Sequence, residues 1–167
     1  RKSYKRLVID TATKYIYLAL VIDQDVVETI YEQGNNNHSV TLMPYLESML
    51  KKQNVELNQI DEVIIGIGPG SYTGVRIGVT VAKMIAYLND VKLYQVSSLA
   101  IIASHSNKEY VLPMIDARRG NAFMALLKND DQSLSYVKDD CLENIKTYQS
   151  NVKVDYDLVE SGEPKIT

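Results

Sequence analysis

The chain starts over partway along its length. A short apolar run closing on aspartate, Leu7-Val8-Ile9-Asp10, leads into a second apolar run, Ile16 to Ile22; further on, Pro113-Met114-Ile115-Asp116 leads into Ala122 to Leu127. Superposing Leu7–Val21 on Pro113–Leu127 without a gap matches Ile9 with Ile115, Asp10 with Asp116, Ala19 with Ala125 and Leu20 with Leu126. The downstream order repeats as well: a strand at 134–137, a helical stretch from about Asp139 to Tyr148, then Asp157-Leu158-Val159-Glu160-Ser161-Gly162, which echoes Glu62-Val63-Ile64-Ile65-Gly66. A chain so arranged must fold as two related α/β units, each burying one sheet under helices.

Arg6 to Ile9 and Ile16 to Ile22 read as a hairpin rich in Val, Ile, Leu and Tyr, and Val26 to Gln33 as a third strand. Asn37 or Ser39 can cap a helix to about Lys52, with Leu42, Met43, Leu46, Met49 and Leu50 on one face and Pro44 in its first turn. Val63 to Ile67 is apolar throughout, as in the buried middle of a parallel sheet. A helix then reaches about Leu88, Lys92 to Val96 forms a strand, and Ser97 or Ser98 caps a short helix through Ala103. The order β-β-β-α-β-α-β-α, duplicated, describes an actin-like (ribonuclease H-like) α/β fold with lobes expected over 1–106 and 107–167. The second copy stops where its next helix is due and residue 1 is not Met, so a longer native chain is expected.

Of the 167 residues, 46% are hydrophobic and 23% charged, a globular balance. No apolar run approaches the roughly 20 residues that span a bilayer, and the basic start lacks a signal-peptide core. A single cysteine, Cys141, has no partner for an internal disulfide and no Cys or His at metal-site spacing, which fits a reducing cytoplasm. With a net charge of −3 and no Lys/Arg stripe interleaved with aromatics, unaided nucleic-acid binding is disfavoured.

Gly66-Ile67-Gly68-Pro69-Gly70-Ser71-Tyr72-Thr73-Gly74 combines glycines that permit positive φ with a helix N-terminus suited to an anion. Its spacing is G-x-G-x-x-x-G, not G-x-G-x-x-G, and no G-K-[ST] follows, so a tight strand-to-helix turn outranks phosphate binding. Along the following helix, Arg76, Thr80, Lys83 and Tyr87 form one narrow polar stripe, and the rest of the circumference is apolar. Such a helix needs cover on its outer flank, either from the 38–52 helix or from another polypeptide. Asp10 and Asp116 read as carboxylates for metal or acid–base work, or as caps of their hairpin turns, with the caps favoured. Arg118-Arg119 could pair with Asp116 or reach an acidic ligand. His38 and His105 stand apart, and no metal site is expected.

Leu7–Thr13, Gly68–Gly78 and Asp116–Gly120 together resemble the three signature segments of the TsaB (YeaZ) family. The middle block, G-P-G-S-[YF]-T-G-x-R-I-G, is the most specific, and the resemblance spans essentially the whole chain. It implies a share in making the N6-threonylcarbamoyl group on adenosine 37 of tRNA. It further implies pairing with the catalytic paralogue TsaD through two helices from each subunit, with the ATPase TsaE joining. Self-pairing as a homodimer is implied when that partner is missing, and contact with tRNA only through the complex. The interface expected is Met43, Leu46, Met49 and Leu50 on the first helix, with Tyr72, Val75, Arg76, Val79 and Lys83 on the second. The paralogue carries H-x-x-x-H where Ser98 and Ile102 stand here, and neither replaces an imidazole at a transition metal. A cytoplasmic, non-catalytic subunit without metal or cofactor is the expectation. The alternative is an actin-like kinase or ATPase; a peptidase finds no H-E-x-x-H and no Ser–His–Asp arrangement.

Overall fold

The computed structural model describes residues 2–34, 36–88, 90–131 and 133–161, and divides into two compact units, one ending at Val96 and the other starting at Ser97. In the first unit, β1 (Lys5–Asp10) pairs antiparallel with β2 (Tyr15–Ile22), and β2 with β3 (Asp25–Gln33). β4 (Glu62–Gly66) runs parallel to β1, and β5 (Lys92–Val96) parallel to β4, giving the order β3-β2-β1-β4-β5. Successive side chains of a strand alternate faces. Leu7 and Ile9 of β1, Ile16, Leu18 and Leu20 of β2, and Val63 and Ile65 of β4 accordingly point one way. They pack with Leu42, Leu46, Met49 and Leu50 of α1 (His38–Lys52) and Ala82 and Ile85 of α2 (Tyr72–Leu88). Both helices thus cover one face of this sheet. On the other face Arg6 pairs with Glu62, which also accepts the Tyr4 hydroxyl at 2.9 Å, and the Tyr17 and Tyr31 rings meet edge-on at 5.4 Å.

The second unit holds β6 (Tyr110–Asp116), β7 (Asn121–Asp130), β8 (Ser133–Asn144) and β9 (Asp157–Glu160) in the order β8-β7-β6-β9, with β9 parallel to β6. The strand order of the first four strands of the other unit recurs. Here the sheet is covered on both sides. Leu99, Ile102 and Ala103 of α3 (Ser98–Ala103) pack with Val111, Ile115, Ala125 and Leu127, while Tyr148 of α4 (Ile145–Ser150) packs with Leu112, Met114, Met124 and Leu126. Burial on both faces explains why 111–115 is apolar without alternation.

Three expectations shift. The division falls before α3 instead of after it, at 96/97 and not 106/107, because the apolar side chains of that helix belong to the second unit's core. The helix expected from Asp139 starts only at Ile145: β8 continues through Cys141 and Leu142, opposite Met124 and Phe123, because the long β7 offers it a ladder. The gapless superposition also fails by one residue. Asp10 lies opposite Tyr17, but Asp116 lies opposite Ala122, not Phe123. β2 and β7 keep the expected match, since Leu18 and Met124 both face the helix of their own crossover. The slip is in the first strand of each pair: Leu7 and Ile9 face α1, whereas Leu112 and Met114 face α4. Asp10 therefore ends its strand on the face turned away from α1, and Asp116 on the face turned toward α4.

Candidate partner-docking site

The glycine turn is a packing device. Ser71 donates its backbone N–H to Ala12 O at 2.7 Å, the Thr11 hydroxyl donates to Gly74 O at 2.6 Å, and Gly74 N–H donates to Ser71 Oγ at 3.0 Å. A Cβ on Gly70 would stand 2.3 Å from Ala12 O, and one on Gly74 would stand 2.2 Å from Thr11 O. Gly70 also has φ +155°, which disfavours an L side chain. The glycines thus let the start of α2 close onto the loop after β1, whose Thr11 and Ala12 carbonyls occupy the space that side chains at 74 and 70 would need. One turn on, a Cβ at Gly78 would meet Thr11 Oγ1 at 2.6 Å.

This close approach settles which side of α2 is free. Its buried residues are Gly74, Gly78, Ala82 and Ile85, so small side chains face the sheet and large ones are pushed outward. Tyr72 is 76% exposed, Tyr87 92%, Leu88 62% and Met84 39%. Arg76 and Lys83 are exposed between them, with the Arg76 guanidinium 5.6 Å from the centre of the Tyr72 ring. Val75 and Val79 flank this stripe half-buried. The expected contribution of α1 is corrected: Leu46, Met49 and Leu50 are buried in the first unit's own core, because α1 is amphipathic and its apolar face lies on the sheet. Met43 is half-buried in a groove of about 400 Å³ that it lines with Val55 and Leu57. Exposed Met84 and Leu88, outside the expected set, join the stripe; their spacing from Tyr72, Arg76 and Thr80 along one helical face was the signal.

Both aspartates cap their turns. Asp10 Oδ1 accepts Ala12 N–H at 2.9 Å, and Asp116 Oδ1 accepts Arg118 N–H at 3.3 Å. His38 is buried, its Nε2 lying 2.8 Å from Thr13 O, where it ties the start of α1 to the first hairpin. Burial lowers His105 to a pKa of about 4, and burial, reinforced by Tyr31 and Asp10, pushes Tyr17 up to about 12. Ser98 is buried at the start of α3, and Ile102 packs with Leu99, Val111 and Ile115. Among the described residues no three His, Cys, Asp or Glu side chains gather as metal ligands, and no helix is long and apolar enough to cross a membrane.

The family model described as "TsaD: tRNA N6-adenosine threonylcarbamoyltransferase" matches residues 28–165. A "tRNA threonylcarbamoyladenosine biosynthesis protein TsaB" of Bacillus subtilis (strain 168) is 35% identical over 136 residues, covering 80% of this chain and 59% of that protein. Its namesake from Escherichia coli (strain K12) is 32% identical over 132 residues, covering 77% and 57%. The chain thus spans somewhat over half the length of these relatives. In the fold, "YeaZ from Pseudomonas aeruginosa" superposes with a TM-score of 0.77 at 21% identity, covering 96% of this chain and 88% of that one. With the duplicated βββαβ order and the Gly68–Gly78 block packed as described, the chain belongs to the family that this model describes, as a two-lobed actin-like protein of its TsaB (YeaZ) branch.

Proposed function

We infer that the chain serves in making N6-threonylcarbamoyladenosine at position 37 of tRNA as a docking subunit that binds and activates the catalytic paralogue TsaD, with the ATPase TsaE joining the pair. The observation that carries this is the stripe Tyr72, Arg76, Lys83, Met84, Tyr87 and Leu88, which its own unit leaves uncovered. Aromatic anchors beside Arg, over a helix held rigidly on a sheet, are the composition that concentrates binding energy at protein interfaces. The names of the relatives supply the pathway. Ser98 and Ile102 support a role outside the transfer step, since a hydroxyl and an aliphatic side chain replace the imidazoles expected there. The same stripe suits isologous self-pairing when TsaD is missing. On this reading tRNA is met only within the complex, in the cytoplasm.

The test is co-elution of the purified chain with TsaD from the same organism, and its effect on threonylcarbamoyl transfer. Tyr72→Glu with Leu88→Glu should abolish both while leaving the circular dichroism spectrum and melting temperature unchanged. Wild-type chain that neither co-elutes nor stimulates transfer ends the proposal, as does a double variant that does both as well as wild type.

A further inference from the structure

Among the described residues six non-glycines have positive φ: Asp23, Asn36, Asn54, Asp131, Arg118 and Arg119. Asp and Asn tolerate the left-handed region because their short polar side chains bond locally; arginine gains no such relief. Arg118 (φ 69°) and Arg119 (φ 57°) are consecutive, and Gly120 (φ 77°) prolongs the same conformation, closed by Asn121 N–H on Arg118 O at 3.1 Å. The two guanidiniums have no ion pair or ring contact among the described residues, whereas Arg6 pairs with Glu62 and Arg76 lies over Tyr72. The nearest carboxylate in the turn, Asp116, is engaged by the N–H of Arg118.

We propose that the β6–β7 hairpin tip is a second docking point, at which Arg118 and Arg119 grip carboxylates on an acidic surface of a partner protein. A turn of Asn and Gly would form with less strain, so the side chains, not the backbone, account for arginine here. Asp116, Arg118, Arg119 and Gly120 are all exposed, so the tip projects instead of lining a pocket that could enclose a small ligand. The sequence has no Lys/Arg stripe interleaved with aromatics, the continuous track that RNA needs, whereas two adjacent guanidiniums match the few carboxylates of a local acidic patch. Short-range, bidentate guanidinium–carboxylate contacts remain open to such a tip.

The probe is fluorescein-labelled hexaglutamate, followed by anisotropy at constant low ionic strength, with a 12-nucleotide RNA and inorganic phosphate as competitors. Hexaglutamate should bind saturably, and Arg118→Asn with Arg119→Gly should weaken it by about tenfold or more, as expected for losing charge-assisted hydrogen bonds. That variant should also melt a few degrees higher, since both new residues suit the turn. Arg118→Gln with Arg119→Gln keeps the strain and must lose the same affinity. Lys108→Gln with Lys146→Gln, which removes the same charge elsewhere in this unit, must not. No saturation, equal loss in the lysine variant, stronger displacement by RNA or phosphate than by free hexaglutamate, or an Asn/Gly variant that melts no higher would each overturn the proposal.

Discussion

Alanine at position 74 would press its Cβ to within 2.2 Å of a backbone oxygen, that of Thr11, which no rotamer can move aside. Gly74→Ala should therefore destabilise the chain by about 2 kcal/mol or more, read as a fall in the urea midpoint at constant slope. Gly120→Ala is the contrast, because its Cβ meets only Asn144 Nδ2 at 3.7 Å and the left-handed backbone alone would cost about 1–2 kcal/mol. The sequence marked the glycine block as a turn, but not that Thr11 and Ala12 fill it; contacts between segments so far apart leave no trace in spacing. His105 carries a second residue-scale prediction. Its folded pKa of about 4 lies below the unfolded value of 6.5, with burial as the cause. Above pH 6.5 both states are neutral there; as pH falls, the unfolded chain takes up a proton that the folded chain refuses until about pH 4. Stability should therefore drop across that window, and wild type should lose about 2 kcal/mol more than His105→Gln between pH 7 and pH 4.5 in denaturant titrations.

At the scale of the element, the two helices over the first sheet divide the work differently from what periodicity suggests. α1 shows a clean apolar face that packs onto the first unit's core, with Met43 half-buried at its edge. α2 is apolar almost all round, and that excess did mark an uncovered flank. Which flank was hidden, because hydrophobic periodicity gives little weight to Gly74, Gly78 and Ala82, the residues that meet the sheet. Leu46→Ala should cost about 2–5 kcal/mol as a core cavity, while Tyr87→Ala should stay within about 0.5 kcal/mol in thermal or urea melts. A reversed order would mean that α1 and not α2 presents the open face. β8 was misread in part for the opposite reason: Asp139-Asp140 weakens a strand signal locally, yet ten residues of β7 supply a ladder that overrides it.

For the whole molecule, the isolated chain is expected to associate with itself through α2. Sedimentation velocity should show a concentration-dependent dimer that Tyr72→Glu with Leu88→Glu converts to monomer; a monomer at every concentration would count against the stripe as an isologous surface. The duplication was legible in the order of elements, and the strand order of the two sheets agrees with it. The residue-by-residue match was not, because two strands can keep similar composition while sliding one position along each other, and only the pairing partners reveal the slide. Shared aspartates at the strand ends therefore do not make equivalent sites.

That offset sets a rule for anyone building hybrids of the two halves. Transplanting 4–10 over 110–116 with the aspartates aligned would drop Arg6 onto the spot of Leu112, a fully buried side chain beside Tyr148, and leave a guanidinium in a dry interior. Moved one place earlier in the chain, the same graft would instead lay Leu7 and Ile9 where Leu112 and Met114 now sit.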